Sequence, residues 1–158
     1  MPEEHRPFRA SYLVSGVGAE RIFAVLLDVR RFPEWVAGLR HSRALDAAGE
    51  AETKNIRPGV RIEFTLSAAG LTHEVVSTVT VVEPPLRLEW NYVEGAHGGG
   101  GWLVEEEGAG TGRVTVSTDY RIRPAWLDRI AHRPFFRGLT EDLLRRSMRR
   151  FDAHLREG

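Results

Sequence analysis

The chain has no cysteine. That one absence removes disulfides, thiolate nucleophiles and zinc–sulfur centres together, and it agrees with a reducing compartment. Lysine is nearly missing as well: Lys54 is the only one, and every other cationic side chain is an arginine. With arginine so abundant, no single arginine points to a bidentate anion site. Charge of one sign is not in excess, because 22 acidic residues balance 22 basic ones. No global field therefore draws the chain toward nucleic acid. No run of about 18 apolar residues is available to span a bilayer. The opening segment MPEEHRPFRA is polar where a signal peptide would be apolar. A cytoplasmic protein with no integral membrane segment is expected. The six histidines are scattered, and none is paired at i, i+4 around an acid. Neither a metal nor another cofactor is expected. A Gly-x-Ser-x-Gly nucleophile elbow is also missing.

What is present suits one globular domain over residues 1–158. Hydrophobic residues make up 42% of the 158, and a chain of this length can bury roughly 70% of the surface it exposes when unfolded. FRASYLVS (8–15) reads as a first strand. In GAERIFAVLLDV, Ile22, Phe23, Leu26 and Leu27 recur at helical spacing. Asp28 is placed to cap a second short turn, and Pro33 suits its first helical position. Trp35 then ends a helix–helix corner, where its size suits a wedge.

The period next changes to two. Residues 39–46 form a weak strand. VRIEFTLS (60–67) alternates Val60, Ile62, Phe64 and Leu66 against polar residues. THEVVSTVTVV (72–82) is a β-branched strand that EPP terminates. LRLEWNYV (86–93) sets Leu86, Leu88, Trp90 and Tyr92 on one face. WLVEEE is a short strand, and GAGTG (108–112) is a hairpin turn. RVTVSTDYRI puts Val114, Val116, Thr118, Tyr120 and Ile122 together. GAHGGGGW (95–102) echoes the oxyanion-loop glycines of esterases, but it has no nucleophile elbow behind it and does not run from a strand into a helix. It reads as a loop between strands, where His97 can reach the mouth of a cavity.

The helical period returns after Pro124. WLDRIAH makes a first segment, and residues 135–156 form the longest helix, about 33 Å at 1.5 Å per residue. Leu144, Met148, Phe151 and Leu155 form its stripe, which Phe136, Leu139 and Leu143 widen. Thr140 and Ser147 interrupt that face with small polar groups, which leaves room above the sheet. Arg145, Arg146, Arg149 and Arg150 form a solvated basic face. Consecutive strands with short turns pair antiparallel, and the long helix is the one element able to cover the sheet's apolar side.

The chain resembles the START/Bet v 1-like (SRPBCC) superfamily. LLDVRRFPEW is similar to its aspartate, aromatic, Pro-x-Trp corner after the first helix; EPPLRLEW and GAGTGRVTVSTDY are similar to its later strands. The polyketide cyclase/dehydrase and coenzyme Q-binding-protein branches look nearest. The resemblance implies an α+β helix-grip fold. In it a curved antiparallel sheet of about seven strands wraps around a long C-terminal helix, with two short helices after the first strand. It also implies a lipophilic ligand held between sheet and helix.

Candidate site residues follow from the predicted faces. The odd positions of strand 72–82 are the more apolar, which turns His73, Val75 and Ser77 inward; the opposite register would bury Glu74. Trp90, Tyr92, Trp102, Thr118 and Tyr120 add aromatic and hydroxyl groups, with Phe64 beside them and Leu139, Leu143 and Ser147 facing from the helix. That is the composition of a pocket for a greasy or flat molecule with a few polar handles. His73, Tyr92 and Tyr120 are the candidate acid–base groups, though no compelling acid–base pair emerges. A hydrophobic small-molecule partner is expected. A polyketide cyclase or dehydratase, and a lipid or quinone carrier, are the competing readings. Oligomeric state leaves no trace in the sequence.

Overall fold

The computed structural model describes residues 8–68, 70–108, 110–122, 129 and 134–157. Seven strands form one antiparallel sheet in the order β1-β7-β6-β5-β4-β3-β2. They are β1 (Phe8–Ser15), β2 (Leu39–Leu45), β3 (Arg61–Ala68), β4 (Leu71–Glu83), β5 (Arg87–Glu94), β6 (Ala96–Glu106) and β7 (Thr111–Ile122). Between β1 and β2 lie the helix α1 (Ala19–Leu27) and a 3-10 helix (Val29–Glu34). The C-terminal helix runs Pro134–Arg156. This is the helix-grip arrangement, a curled sheet closed by its last helix.

The two periods explain the packing. In α1, Ile22, Phe23, Val25 and Leu26 face one way and are buried. In β4, Val75, Ser77 and Val79 are buried while Glu74 and Thr80 are exposed. The odd face therefore points inward, and the register that would bury Glu74 is excluded. A shift in pairing after Val79 then sets Val82 opposite the buried Leu88. Met148, Phe151 and Leu155 join α1, the corner and the sheet in a single buried cluster.

Three local expectations are corrected. Asp28 makes no side-chain cap, and the 3-10 helix begins at Val29, so Pro33 lies inside it rather than at its start. GAHGGGGW is not a loop: from Ala96 onward it is the first half of β6, paired with β7 on one side, with Gly99–Trp102 also paired to β5 on the other. The polypeptide keeps the alternation of Trp102 and Val104 back through the glycines. His97 shares the outward parity of Gly99 and Gly101 and is exposed. The WLDRIAH segment lies outside the described residues except for Arg129, which is helical. Among the described residues, no helix is long and apolar enough to cross a membrane.

Trp35 closes the corner. It is 1% exposed. Its ring lies 4.7 Å from that of Phe151, 5.3 Å from Phe32 and 6.0 Å from Trp102. The indole therefore ties the 3-10 turn to both the C-terminal helix and β6. Its Nε1 has no hydrogen-bond partner among the described residues, and ring packing is what they supply to hold it.

Candidate functional site

The inner face of the sheet changes character along its length. At the end under α1 and the last turns of the C-terminal helix, Val79, Leu88, Val104 and Val114 are all at most 2% exposed. Toward the other end, Phe64, Trp90, Tyr92, Trp102 and Thr118 share that face but are only half-buried, and Leu66 is 40% exposed. One concave surface is thus sealed at one end and open at the other.

Register brings the half-buried residues together. Phe64 pairs with Val75, Ser77 with Tyr92, Val79 with Trp90, Trp90 with Gly100, and Gly100 with Thr118. Directly paired residues share a face, so Phe64, Val75, Ser77, Trp90, Tyr92, Trp102 and Thr118 form one patch across β3–β7. Tyr92 Oη and Thr118 Oγ1 are hydrogen-bonded at 2.7 Å, and the tyrosine reaches over β6 to make that contact. Ser77 Oγ and Trp90 Nε1 are sealed without a partner among the described residues. Each such group costs about 1–3 kcal/mol where no partner reaches it.

The remaining sequence candidates fall elsewhere. His73 is half-buried near the start of β4, and its Nε2 lies 2.7 Å from the Gly95 carbonyl oxygen, which requires that nitrogen to be the donor. Ser147 is 4% exposed; its Oγ accepts from Ala37 N at 2.8 Å and donates to Leu143 O at 2.7 Å. It is a peg holding the corner to the helix and does not leave open space. Leu143 lies beside Gly38, where an added Cβ would come within 3.4 Å of its Cδ1. The side chains of Tyr120, Leu139 and Thr140 lie outside the described residues. Arg145, Arg146, Arg149 and Arg150 are exposed, and Arg146 pairs with Asp142.

Sequence reading missed Gly100. A Cβ placed there would meet Trp90 Cζ2 at 2.8 Å, Cε2 at 3.0 Å and Ser117 O at 2.6 Å. The indole therefore rests on the bare backbone of β6. Extending the period of Trp102 and Val104 back through the glycines would have found this position. On the outer face Gly99 and Gly101 leave a groove of about 610 Å³ between Glu89 and Asn91 on one side and Ser117 and Asp119 on the other. It is shallow and open to solvent on the sheet's outer side, lined by Glu89, Asn91, Ser117 and Asp119 as well as apolar surface, whereas the inner patch lies on the concave side, the better place to enclose an apolar molecule.

The sheet order, the corner helices and the long closing helix define a START/Bet v 1-type helix-grip domain. The profile of the family described as "Polyketide cyclase / dehydrase and lipid transport" matches residues 8–156, and the chain belongs to that family. The chain is similar to the Zhui aromatase/cyclase from Streptomyces sp. R1128, at 13% identity and TM-score 0.72, covering 95% of this chain and 93% of that one. It is similar to a START superfamily protein from Mycobacterium smegmatis, at 12% identity and TM-score 0.69, covering 94% and 96%. A Deinococcus radiodurans protein is 25% identical with a TM-score of 0.57, covering 88% and 98%. No curated protein sequence matches significantly.

Proposed function

We propose that the protein binds a hydrophobic small molecule (a lipid, quinone or polyketide-like compound) between the open end of the concave face and the C-terminal helix. The observation that carries this is the burial gradient. Residues of one face are sealed at Val79, Leu88, Val104 and Val114, yet aromatic side chains further along it stay half-exposed. Exposed aromatic surface on the inner wall of a fold gains by being covered, at about 25 cal/mol per Å² before ordering costs. The Tyr92–Thr118 hydroxyl pair supplies a polar handle that fixes orientation. Family membership supports the same reading.

The experiment is native mass spectrometry of freshly purified protein, followed by denaturation and identification of whatever is released. A stoichiometric apolar compound supports the proposal and names its class. Protein that carries nothing and takes up nothing from a lipophilic library refutes it.

A second reading uses the same space for a cyclase or dehydratase. The Tyr92–Thr118 pair favours it, since a phenol hydrogen-bonded to a second hydroxyl inside an apolar pocket can hand a proton to a bound carbonyl. His73 is less suited, because its Nε2 is engaged by the Gly95 carbonyl oxygen. Tyr92→Phe separates the readings: a catalyst loses turnover and keeps binding, whereas a carrier keeps its transfer rate.

A further inference from the structure

We infer that Gly100 is the size-determining position of this pocket, acting through Trp90; the inference rests on the binding reading above. Trp90 is the large side chain at the middle of the half-buried patch. The Cε2–Cζ2 edge of its indole comes so close to the Gly100 backbone that no side chain fits between them, since an added Cβ would lie 2.8 and 3.0 Å from those atoms. Ordinary carbon–carbon contact is about 3.5–4.0 Å. An added Cβ at position 100 must therefore displace the indole by about 1 Å and also strain the pairing to β7, since it would lie 2.6 Å from Ser117 O.

The neighbours do not offer another way out. Trp90 is paired with Val79 on the far side, and Val79 is 1% exposed. The indole already packs against the buried cluster. Its free direction is upward, into the space assigned to ligand. Glycine at 100 thus keeps the floor low, and the glycine run absorbs a role the sequence alone assigned to a loop. The floor and walls here are the rings of Trp90, Tyr92, Phe64 and Trp102, so the dimension that Gly100 sets is the bulk of a ring-bearing ligand.

The test compares two carboxylates that differ by one fused ring, 1-naphthoate and 9-anthracenecarboxylate, titrated calorimetrically into the full chain. Wild type is expected to bind both. Gly100→Ala is expected to weaken the anthracene compound at least tenfold and the naphthalene compound less than threefold. The same Cβ also meets Ser117 O at 2.6 Å, so each variant is first checked by thermal melt. Combining Gly100→Ala with Trp90→Phe removes the outer ring of the indole and is expected to restore the anthracene compound. If Gly100→Ala does not fold, Trp90→Phe alone is read; it is expected to favour the anthracene compound at least threefold over wild type. Equal weakening of both probes, no weakening, failed restoration, or no gain in Trp90→Phe alone overturns the role of Gly100. Wild type that binds neither these probes nor any lipophilic compound refutes the pocket itself, a separate failure.

Discussion

Replacing Ser147 by alanine tests how the C-terminal helix is fastened to the corner. The hydroxyl makes two bonds, accepting from Ala37 N at 2.8 Å, where both residues are buried, and donating to Leu143 O at 2.7 Å, which is part-buried. The second bond is dispensable, because Leu143 O lies four residues back along the helix and keeps its ladder partner. The first is not, because Ala37 N–H has no other partner among the described residues and Ala37 is 8% exposed. An orphaned buried donor costs about 1–3 kcal/mol. Alanine returns up to about 0.7 kcal/mol of helix propensity. The net expectation is a loss of about 0.3–2.3 kcal/mol, or roughly 1–9 °C in melting temperature for a chain of this length. Urea and thermal unfolding by circular dichroism measure it, with exposed Arg149→Ala as a control expected within about 0.5 kcal/mol of wild type. Ligand affinity per folded molecule should not change, since the hydroxyl faces Ala37 and not the pocket. Ser147→Ala as stable as wild type would refute the peg, and altered affinity at unchanged stability would return Ser147 to the pocket wall.

Three further outcomes are expected. Trp35→Ala should cost about 3–5 kcal/mol by urea unfolding, whereas Trp35→Phe should cost much less, because it keeps a ring against Phe151 and deletes an unpartnered N–H. A double-mutant cycle with Tyr92→Phe and Thr118→Val should give a coupling of about 0.5–1.5 kcal/mol, and a value near zero would dissolve the hydroxyl pair. Burial, helped by the Asp152 carboxylate and its hydrogen bond, raises the Tyr12 hydroxyl above its ordinary range. The folded state therefore holds that proton more tightly than the unfolded state. Its contribution is complete below about pH 10 and is lost as pH rises beyond it. Melts between pH 8 and 11 should show this decline flattened in Tyr12→Phe.

Most of the fold was legible because its periods are clean. Val60, Ile62, Phe64 and Leu66 alternate without interruption, as do Leu88, Trp90 and Tyr92, and each landed on the inner face. The inward turn of β4 was favoured by its more apolar odd positions, though the even positions are just as β-branched and left the register with Glu74 inward open until the burial of Val75, Ser77 and Val79 decided it. The glycines of β6 were not, because a residue without a side chain shows no period, and only the strands paired to it reveal its face. The helix candidates failed differently. Ser147 stands at the interior position its spacing requires, but sequence cannot show that a backbone N–H from the corner arrives there to use it. His73 likewise sits on the expected face, while its Gly95 partner is fixed by how the β5–β6 turn closes.

The four consecutive glycines of β6 also bear on the state the protein folds from. Residues 98–101 have more backbone freedom when unfolded than any other residue type, and holding each in a strand costs roughly 0.5–1 kcal/mol more than holding alanine. These residues form part of a central strand, paired to β7 throughout and to β5 from Gly99 onward, so the neighbouring strands carry that expense. The strip beneath Trp90 should therefore be the last part of the sheet to order and the first to exchange its amide hydrogens, even though it lies at the centre and not at an edge. For the guest proposed between sheet and helix, a loosely held central strand would give the floor room to yield while the sealed end keeps its shape.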